Sequence, residues 1–225
     1  MSQAGRRGVL IVFEGGEGSG KSTQLRRVSG ELARRAVSHV CLREPGGTPL
    51  GTEVRRMLLD RASDIAHRAE ALLFMASRAQ LVEREIEPAL AKGDVVLLDR
   101  FFLSTYAYQI VGRGLPEAEV RAANRLATGS LVPDLTLLLD VHAAHGLERA
   151  DARGKRDKIE RSGDEFHARV GNAFREFADP KWQHSHRECG PIKLIDGTGD
   201  EAAVHQRVVS ALISAFPQPF GRIKS

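Results

Sequence analysis

Eight residues, Gly15-Gly16-Glu17-Gly18-Ser19-Gly20-Lys21-Ser22, follow closely on the apolar run Val9-Leu10-Ile11-Val12-Phe13 and open a helical pattern from Lys21 to Ala36. A G-x-x-x-x-G-K-[ST] segment between a strand and a helix is a phosphate-binding loop (P-loop) in the context that its mechanism requires. The glycines let backbone N–H groups curl around phosphate oxygens, and the helix N-terminus adds positive potential. Lys21 is then placed to reach the β- and γ-phosphates of a nucleoside triphosphate, and the Ser22 hydroxyl to ligate magnesium. With the adjoining Thr23, residues Gly15, Gly16, Glu17, Gly18, Ser19, Gly20, Lys21 and Ser22 are the candidate triphosphate-binding set.

The remaining chain repeats the same alternation of short apolar runs and longer helical patterns. Strands are predicted at Gly8–Glu14, His39–Arg43, Asp94–Asp99, Leu135–Val141 and Ile192–Asp196. Helices are predicted at Lys21–Ala36, across Leu50–Ala91 and Thr105–Thr128, and at Gly146–Arg153, Asp164–Ala178 and Glu201–Ala215. Apolar strands separated by helices imply a parallel sheet covered on both faces. Ligands in such sheets gather beyond the carboxyl ends of the strands. Glu14, Arg43, Asp99 and Asp140, the polar residues ending these strands, are therefore the first places to look for chemistry.

Composition narrows the class. With 42% apolar and 28% charged residues in 225, the chain suits one large globular domain and excludes collagen-like, mucin-like and coiled-coil classes. No apolar run approaches the ~18 residues that a membrane helix needs. The stretch after Arg6 and Arg7 is too short for a signal peptide. Two cysteines, Cys41 and Cys189, make no disulfide framework and suggest a reducing cytoplasm. Net charge is +4, but of the 33 basic residues 26 are Arg and 7 are Lys. Arginine's rigid fork suits phosphate and carboxylate geometry, whereas a nonspecific electrostatic coat needs only positive charge.

Other strand ends carry further signals. Arg43-Glu44-Pro45-Gly46-Gly47-Thr48 puts a guanidinium before a tight turn, where it either holds a second anion or is simply solvated. Asp99-Arg100 follows Val95-Val96-Leu97-Leu98. An acidic residue in that place is the usual second support for P-loop magnesium, and the arginine can fork onto phosphate. A surface Asp–Arg pair is the plainer alternative. Six basic residues between Arg149 and Arg161 are interleaved with Asp151, Asp157 and Glu160. Such a run is either a solvated helix end or a mobile basic lid over the transferred phosphate. His184, His186 and Cys189 lack a nearby fourth ligand and read as a polar connection rather than a zinc site.

Taken together these segments resemble the thymidylate kinases, in particular the bacterial type. The resemblance rests on residues 13–23, on Arg43 to Thr48, and on Phe74-Met75-Ala76-Ser77-Arg78. It continues through Asp99-Arg100-Phe101, Ser104-Thr105-Tyr106-Ala107-Tyr108-Gln109 and the stretch from Pro133 to Asp140. It implies an α/β fold of the P-loop nucleoside-monophosphate kinase kind. This is a three-layer arrangement in which a five-stranded parallel sheet is wrapped by helices and carries a short basic lid at about 149–161. The kinase domain would span 8–216, between a flexible N-terminus at 1–7 and a flexible tail at 217–225. The implied reaction is phosphoryl transfer from ATP to dTMP, with Mg2+, in a cytoplasmic homodimer that engages neither nucleic acid nor membrane.

The resemblance also implies roles residue by residue. Phe74 would stack on thymine and Arg78 bond a base carbonyl, although Phe74 alone reads as helix core. Thr105 and Gln109 match base contacts, and Tyr108 matches the ring that crowds the 2′ carbon of the sugar. Arg43, Arg55 and Arg100 match residues around the monophosphate. Glu17 matches a carboxylate on the 3′-hydroxyl, while Glu14 could be an anchor behind the site. Lys21, Arg100, Arg153 and Arg149 would stabilise transferring charge, with Ser22 and Asp99 as the metal support. Gly18 stands where one branch of the family carries an arginine, so the lid must supply that charge, Arg153 first and Arg149 second. Two other classes share part of this reading. A kinase for another monophosphate would differ only around Phe74, Arg78, Thr105 and Gln109. A nucleic-acid module should show an aromatic-basic platform, which Trp182 and the two tyrosines do not form.

Overall fold

The computed structural model describes residues 7–60, 62–140 and 163–221. Its centre is a sheet of β1 (Val9–Glu14), β2 (His39–Arg43), β3 (Val95–Asp99), β4 (Leu135–Asp140) and β5 (Ile192–Asp196). All neighbours pair in parallel, in the order β2-β3-β1-β4-β5. Side chains alternate across a strand, so β1 supplies both cores at once. Ile11 and Phe13 pack on one face with Leu25, Val28, Val208 and Leu212, while Leu10 and Val12 pack on the other with Leu81, Ile86, Phe101 and Tyr106. This is the fold class expected from the sequence.

The chain leaves β1 toward β2 on one side and leaves β3 toward β4 on the other. The connections therefore diverge between β1 and β3, and a crevice opens beyond the carboxyl ends of those two strands. Phe13 pairs with Asp99, and Asp99 with Arg43, so three strand ends finish at one level.

Helix α1 (Lys21–Arg34) ends two residues before the expected Ala36, because Ala36 takes a left-handed φ of 54° and its N–H bonds back to Ala33. The helical stretch from 50 to 91 divides into α2 (Pro49–Leu59), α3 (His67–Leu81) and α4 (Glu87–Lys92). A π-helical turn, Val82–Ile86, joins the last two, and Glu87 N–H reaches Val82 O. Pro88 has no N–H to continue the regular ladder, and the wider turn absorbs that break. After α5 (Phe102–Thr105) a second π-helical segment, Tyr106–Gly112, leads to α6 (Glu117–Thr128). Helices α7 (Asp164–Glu176), α8 (Pro180–Ser185) and α9 (Glu201–Ala215) complete the layers. The expected helix at Gly146–Arg153 and the lid at about 149–161 lie outside the described residues. Among the described residues no helix is long and apolar enough to cross a membrane.

Contacts also form at residues placed outside the 8–216 domain. Arg7, assigned to the N-terminal segment, forms an ion pair with Asp134 at 3.0 Å. Residues Pro217–Phe220, within the expected tail, form α10, and Phe220 packs fully buried beside α9. A lone aromatic in a Pro-rich ending gives no periodicity by which to see this in the sequence. His186, left to a polar connection, lies stacked on Trp182 at 3.8 Å and bonds Glu117 at 3.0 Å. Replacing Phe220 by Ala should cost about 3–5 kcal/mol, the range for a buried Phe truncation. Urea denaturation reads this directly, and a change below about 0.5 kcal/mol would return the segment to a tail.

Candidate active site

One cleft runs beyond the carboxyl ends of β1, β2 and β3. It is lined by residues 17–23 of the loop and by Arg43, Arg55, Phe74, Arg78, Asp99, Arg100, Thr105, Tyr108 and Gln109. Gly16 borders an adjoining recess together with Glu17 and Tyr108. Arg149 and Arg153 lie outside the described residues, so the structure gives them no position.

The phosphate end follows from backbone conformation. Gly15 has φ 138°, and a Cβ there would stand 2.4 Å from Leu139 O, so only glycine fits. Gly20 caps α1 in the left-handed region with no side-chain acceptor, which leaves the first-turn N–H groups of the helix facing the cleft. Lys21 Nζ donates to Gly15 O (2.9 Å), Gly16 O (2.7 Å) and Ser19 Oγ (3.2 Å). Burial, and then the charge of Arg100, hold the Lys21 amine down at about 8, against the opposing pull of Glu17 and Asp99. Ser22 Oγ donates to Asp99 Oδ2 at 2.5 Å, so both proposed metal-supporting oxygens share one spot.

Next to the loop, Arg100 takes a left-handed φ of 71°, which for a non-glycine residue persists only where surroundings enforce it. Its N–H bonds Phe13 O at 3.0 Å. Its guanidinium reaches Glu17 Oε1 (2.6 Å) and Ser104 Oγ (2.9 Å) and lies under the Tyr108 ring. Tyr108 also donates its hydroxyl to Glu17 Oε1 at 2.9 Å. Burial would raise the Glu17 carboxyl, but Arg100 and Lys21 outweigh it and hold the group at about 2. Arg43 is exposed at the mouth, and Arg55 donates to Pro45 O at 3.1 Å. Arg56 turns away and pairs with Glu53. The Glu44–Pro45 bond is cis.

At the far end Phe74 is half-buried on α3, and Thr105 and Gln109 are buried at the cleft wall. Arg78 borders the cleft, yet most of its guanidinium is committed inward. Nε and Nη2 reach Glu44 Oε2 at 2.7 and 2.6 Å, Nη2 also reaches Phe101 O at 2.9 Å, and Nη1 bonds Asn124 Oδ1. Of five N–H groups, one on Nη1 is left for the cleft. Burial pushes the Glu44 carboxyl up while Arg78 pulls it down, and burial prevails.

Sequence reasoning missed the partners that set these groups. Glu44 was seen as part of a turn, and Ser104 as part of a motif, but neither as a hydrogen-bonding element. Glu70, Arg113 and Asn124 gave no motif at all. The one available signal was Arg78 itself, because an arginine on an apolar helix face needs a buried counter-charge.

Comparisons with known proteins point to one family. The family model described as thymidylate kinase matches residues 13–194. The thymidylate kinase of Deinococcus radiodurans is 42% identical over 206 residues, covering 92% of this chain and 97% of that protein. That of Carboxydothermus hydrogenoformans is 44% identical over 172 residues, covering 76% and 85%. That of Desulforudis audaxviator is 45% identical over 190 residues, covering 81% and 86%.

The Lys21 amine makes a polyphosphate complex pH-dependent. Phosphate charge favours the protonated amine, so its pKa rises on binding. Below about pH 7 the amine is charged in both states and affinity is flat. Above pH 8 the free protein has lost the proton and must recapture it, so ATP affinity should be about tenfold weaker at pH 9 than at pH 7. Titration calorimetry in buffers of different ionisation enthalpy should show proton uptake at pH 8.5. A flat affinity without uptake would mean that the amine is fully charged before binding.

Proposed function

The chain belongs to the thymidylate kinase family, and we propose, from that premise, how its own residues divide the work of the reaction. The enzyme is an ATP-dependent nucleoside-monophosphate kinase that transfers the terminal phosphoryl group of ATP to dTMP, giving dTDP and ADP. The acceptor is a phosphate oxygen that is already anionic near neutral pH, so no strong general base is needed. Positioning and charge stabilisation carry the catalysis.

ATP binds along residues Gly15 to Thr23, with the loop N–H groups and Lys21 on its phosphates. Mg2+ fits the donor set of Ser22 and Asp99, since this ion takes one or two protein oxygens and completes its shell from phosphate and water. When bound, the ion neutralises charge between the β- and γ-phosphates. The dTMP phosphate lies among Arg43, Arg55 and Arg100. Glu17 receives the 3′-hydroxyl, and the Tyr108 ring occupies the space that a 2′-hydroxyl would need. Phe74 stacks on thymine, the remaining Nη1 N–H of Arg78 meets a base carbonyl, and Thr105 and Gln109 face the base edge. The observation that carries this reading is the continuity of the cleft from the Lys21 end to the Phe74 and Gln109 end. A coupled ADP-release assay across dTMP, dUMP, dGMP and dCMP tests it, and a preference for a purine acceptor would overturn it.

Gly18 supplies no charge inside the loop, and Arg100 is already paired with Glu17. The transferring phosphoryl group therefore draws on the basic run at 149–161, with Arg153 first and Arg149 second. Because this contact forms on closure, it acts on the transition state more than on ground-state binding. Arg153→Ala should lower kcat by at least about 100-fold while the KM for dTMP changes only a fewfold. Near-normal kcat in both Arg153→Ala and Arg149→Ala would return the run to a solvated helix end.

The enzyme acts as a homodimer joined through α3 and α6. These helices pack side by side, and along them Leu72 is 62% and Leu126 86% exposed. A groove between the helices is lined by Ala71, Leu72, Met75, Val120 and Ala123, and Leu126 lies one turn beyond Ala123. Exposed leucines of this kind mark an association surface. Leu72→Asp with Leu126→Asp should sediment as a monomer where the parent sediments as a dimer. An unchanged sedimentation coefficient would place the interface elsewhere.

A further inference from the structure

Glu70 lies in the first turn of α3, is only 2% exposed, and belongs to none of the recognised motifs. Its position four residues before Phe74 and eight before Arg78 puts the three on one helix face. Its Oε1 accepts from Gln109 Nε2 and from Arg113 Nε, and its Oε2 accepts from Arg113 Nη2, all at 3.2 Å. The Arg113 guanidinium is in turn held over the Phe166 ring at 4.7 Å. A buried carboxylate is thus clamped between a fixed cation and the amide of a residue on the cleft wall.

That clamp settles a choice that the Gln109 side chain cannot make alone. A primary amide presents an acceptor on one side and donors on the other, with nearly equal shapes. The carboxylate opposite the Arg113 fork acts as acceptor on both oxygens, so only the NH2 group of Gln109 can face it. The carbonyl Oε1 is then turned the other way, and no described residue donates to it. An acceptor at that place takes an N–H from its ligand. Thymine and uracil carry a hydrogen on ring N3, whereas cytosine carries a bare lone pair there, which would be left opposed and unpaired.

We infer that Glu70, braced by Arg113, is a positioning residue that locks the Gln109 amide with its carbonyl toward the base and so sets selectivity for N3–H pyrimidines over cytosine. This rests on the proposed placement of Gln109 at the base edge. Glu70 touches no substrate, and its effect passes through Gln109 alone.

The test is the Glu70→Gln variant, which keeps size and shape but offers either an acceptor or a donor to Gln109. The amide can then flip and present N–H to cytosine N3. The ratio of kcat/KM for dTMP over dCMP should fall by about tenfold or more, while the ratio for dTMP over dUMP stays within twofold. Ratios taken on one preparation are independent of how much of it is folded. A fall of both ratios together would mean general loosening of the site and overturn the proposal, as would no change in either. Gln109→Ala separates the proposal from the reading beneath it. If that variant leaves the dTMP over dCMP ratio intact, Gln109 does not face the base and the placement itself fails. If it lowers the ratio where Glu70→Gln does not, the placement stands and the role of Glu70 falls.

Discussion

Glu14 is fully buried at the carboxyl end of the central strand, and three hydrogen bonds decide where the chain travels after β3. Its Oε1 accepts from Phe101 N (2.7 Å) and Ser104 N (3.0 Å), and its Oε2 from Ser104 Oγ (2.6 Å). A carboxylate removed from water costs several kcal/mol unless donors satisfy it. Here the donors come from the start of α5, whose first-turn N–H groups need an acceptor. The exchange fastens the end of β1 to the segment after β3, across the crevice between them. Arg100 sits inside that fastened segment, which explains how a non-glycine residue keeps φ 71°. Its guanidinium is thereby delivered to Glu17 and the loop rather than to solvent.

The same logic recurs with different stakes along the cleft. Arg78 and Glu44 are each at most 5% exposed and form a buried ion pair. Such pairs add little net stability, because desolvation offsets the Coulomb gain, but removing one partner strands the other. Their contribution is positional. Arg78 ties the cis turn after β2, the start of α5 and α6 into one wall through Glu44, Phe101 O and Asn124. Glu70 does so about two turns earlier on α3. The Phe74 end of the cleft is therefore held by paired charges, whereas the Lys21 end offers the first-turn N–H groups of α1 and a depressed amine.

What the sequence revealed, and what it did not, follows from this division. Strands His39–Arg43 and Ile192–Asp196 and helix Glu201–Ala215 match their expected bounds, since apolar runs between polar breaks mark them plainly. The loop was legible because glycine spacing is a backbone requirement. The π-helical turns were not. From Tyr106 to Gln109 four successive residues are buried, a pattern that neither a helical nor a strand period produces. The second turn, where Arg113 N–H bonds Tyr108 O, sets Tyr108 and Gln109 together on the cleft side. Contacts such as Glu70 with Gln109 and Arg78 with Asn124 join residues far apart in sequence, and single-sequence patterns carry no information about such pairs.

Charge balance gives the last constraint. Among the described residues lining the phosphate end, Arg100 is neutralised by Glu17, and Asp99 offsets part of Lys21. Arg43 and Arg55 also line the cleft. A triphosphate and a monophosphate bound together bring more negative charge than this set can balance. Permanent extra cations would also have to be buried beside Lys21, whose amine is already depressed by burial and then by Arg100. Each further fixed arginine would depress it more and weaken the contact that the loop exists to make. A charge that arrives only with the substrates avoids that conflict, because their phosphates then screen it from Lys21. Gly18 leaves the loop uncharged where a resident arginine would compete with Lys21, and that is the complement which the proposed role of the basic run at 149–161 calls for.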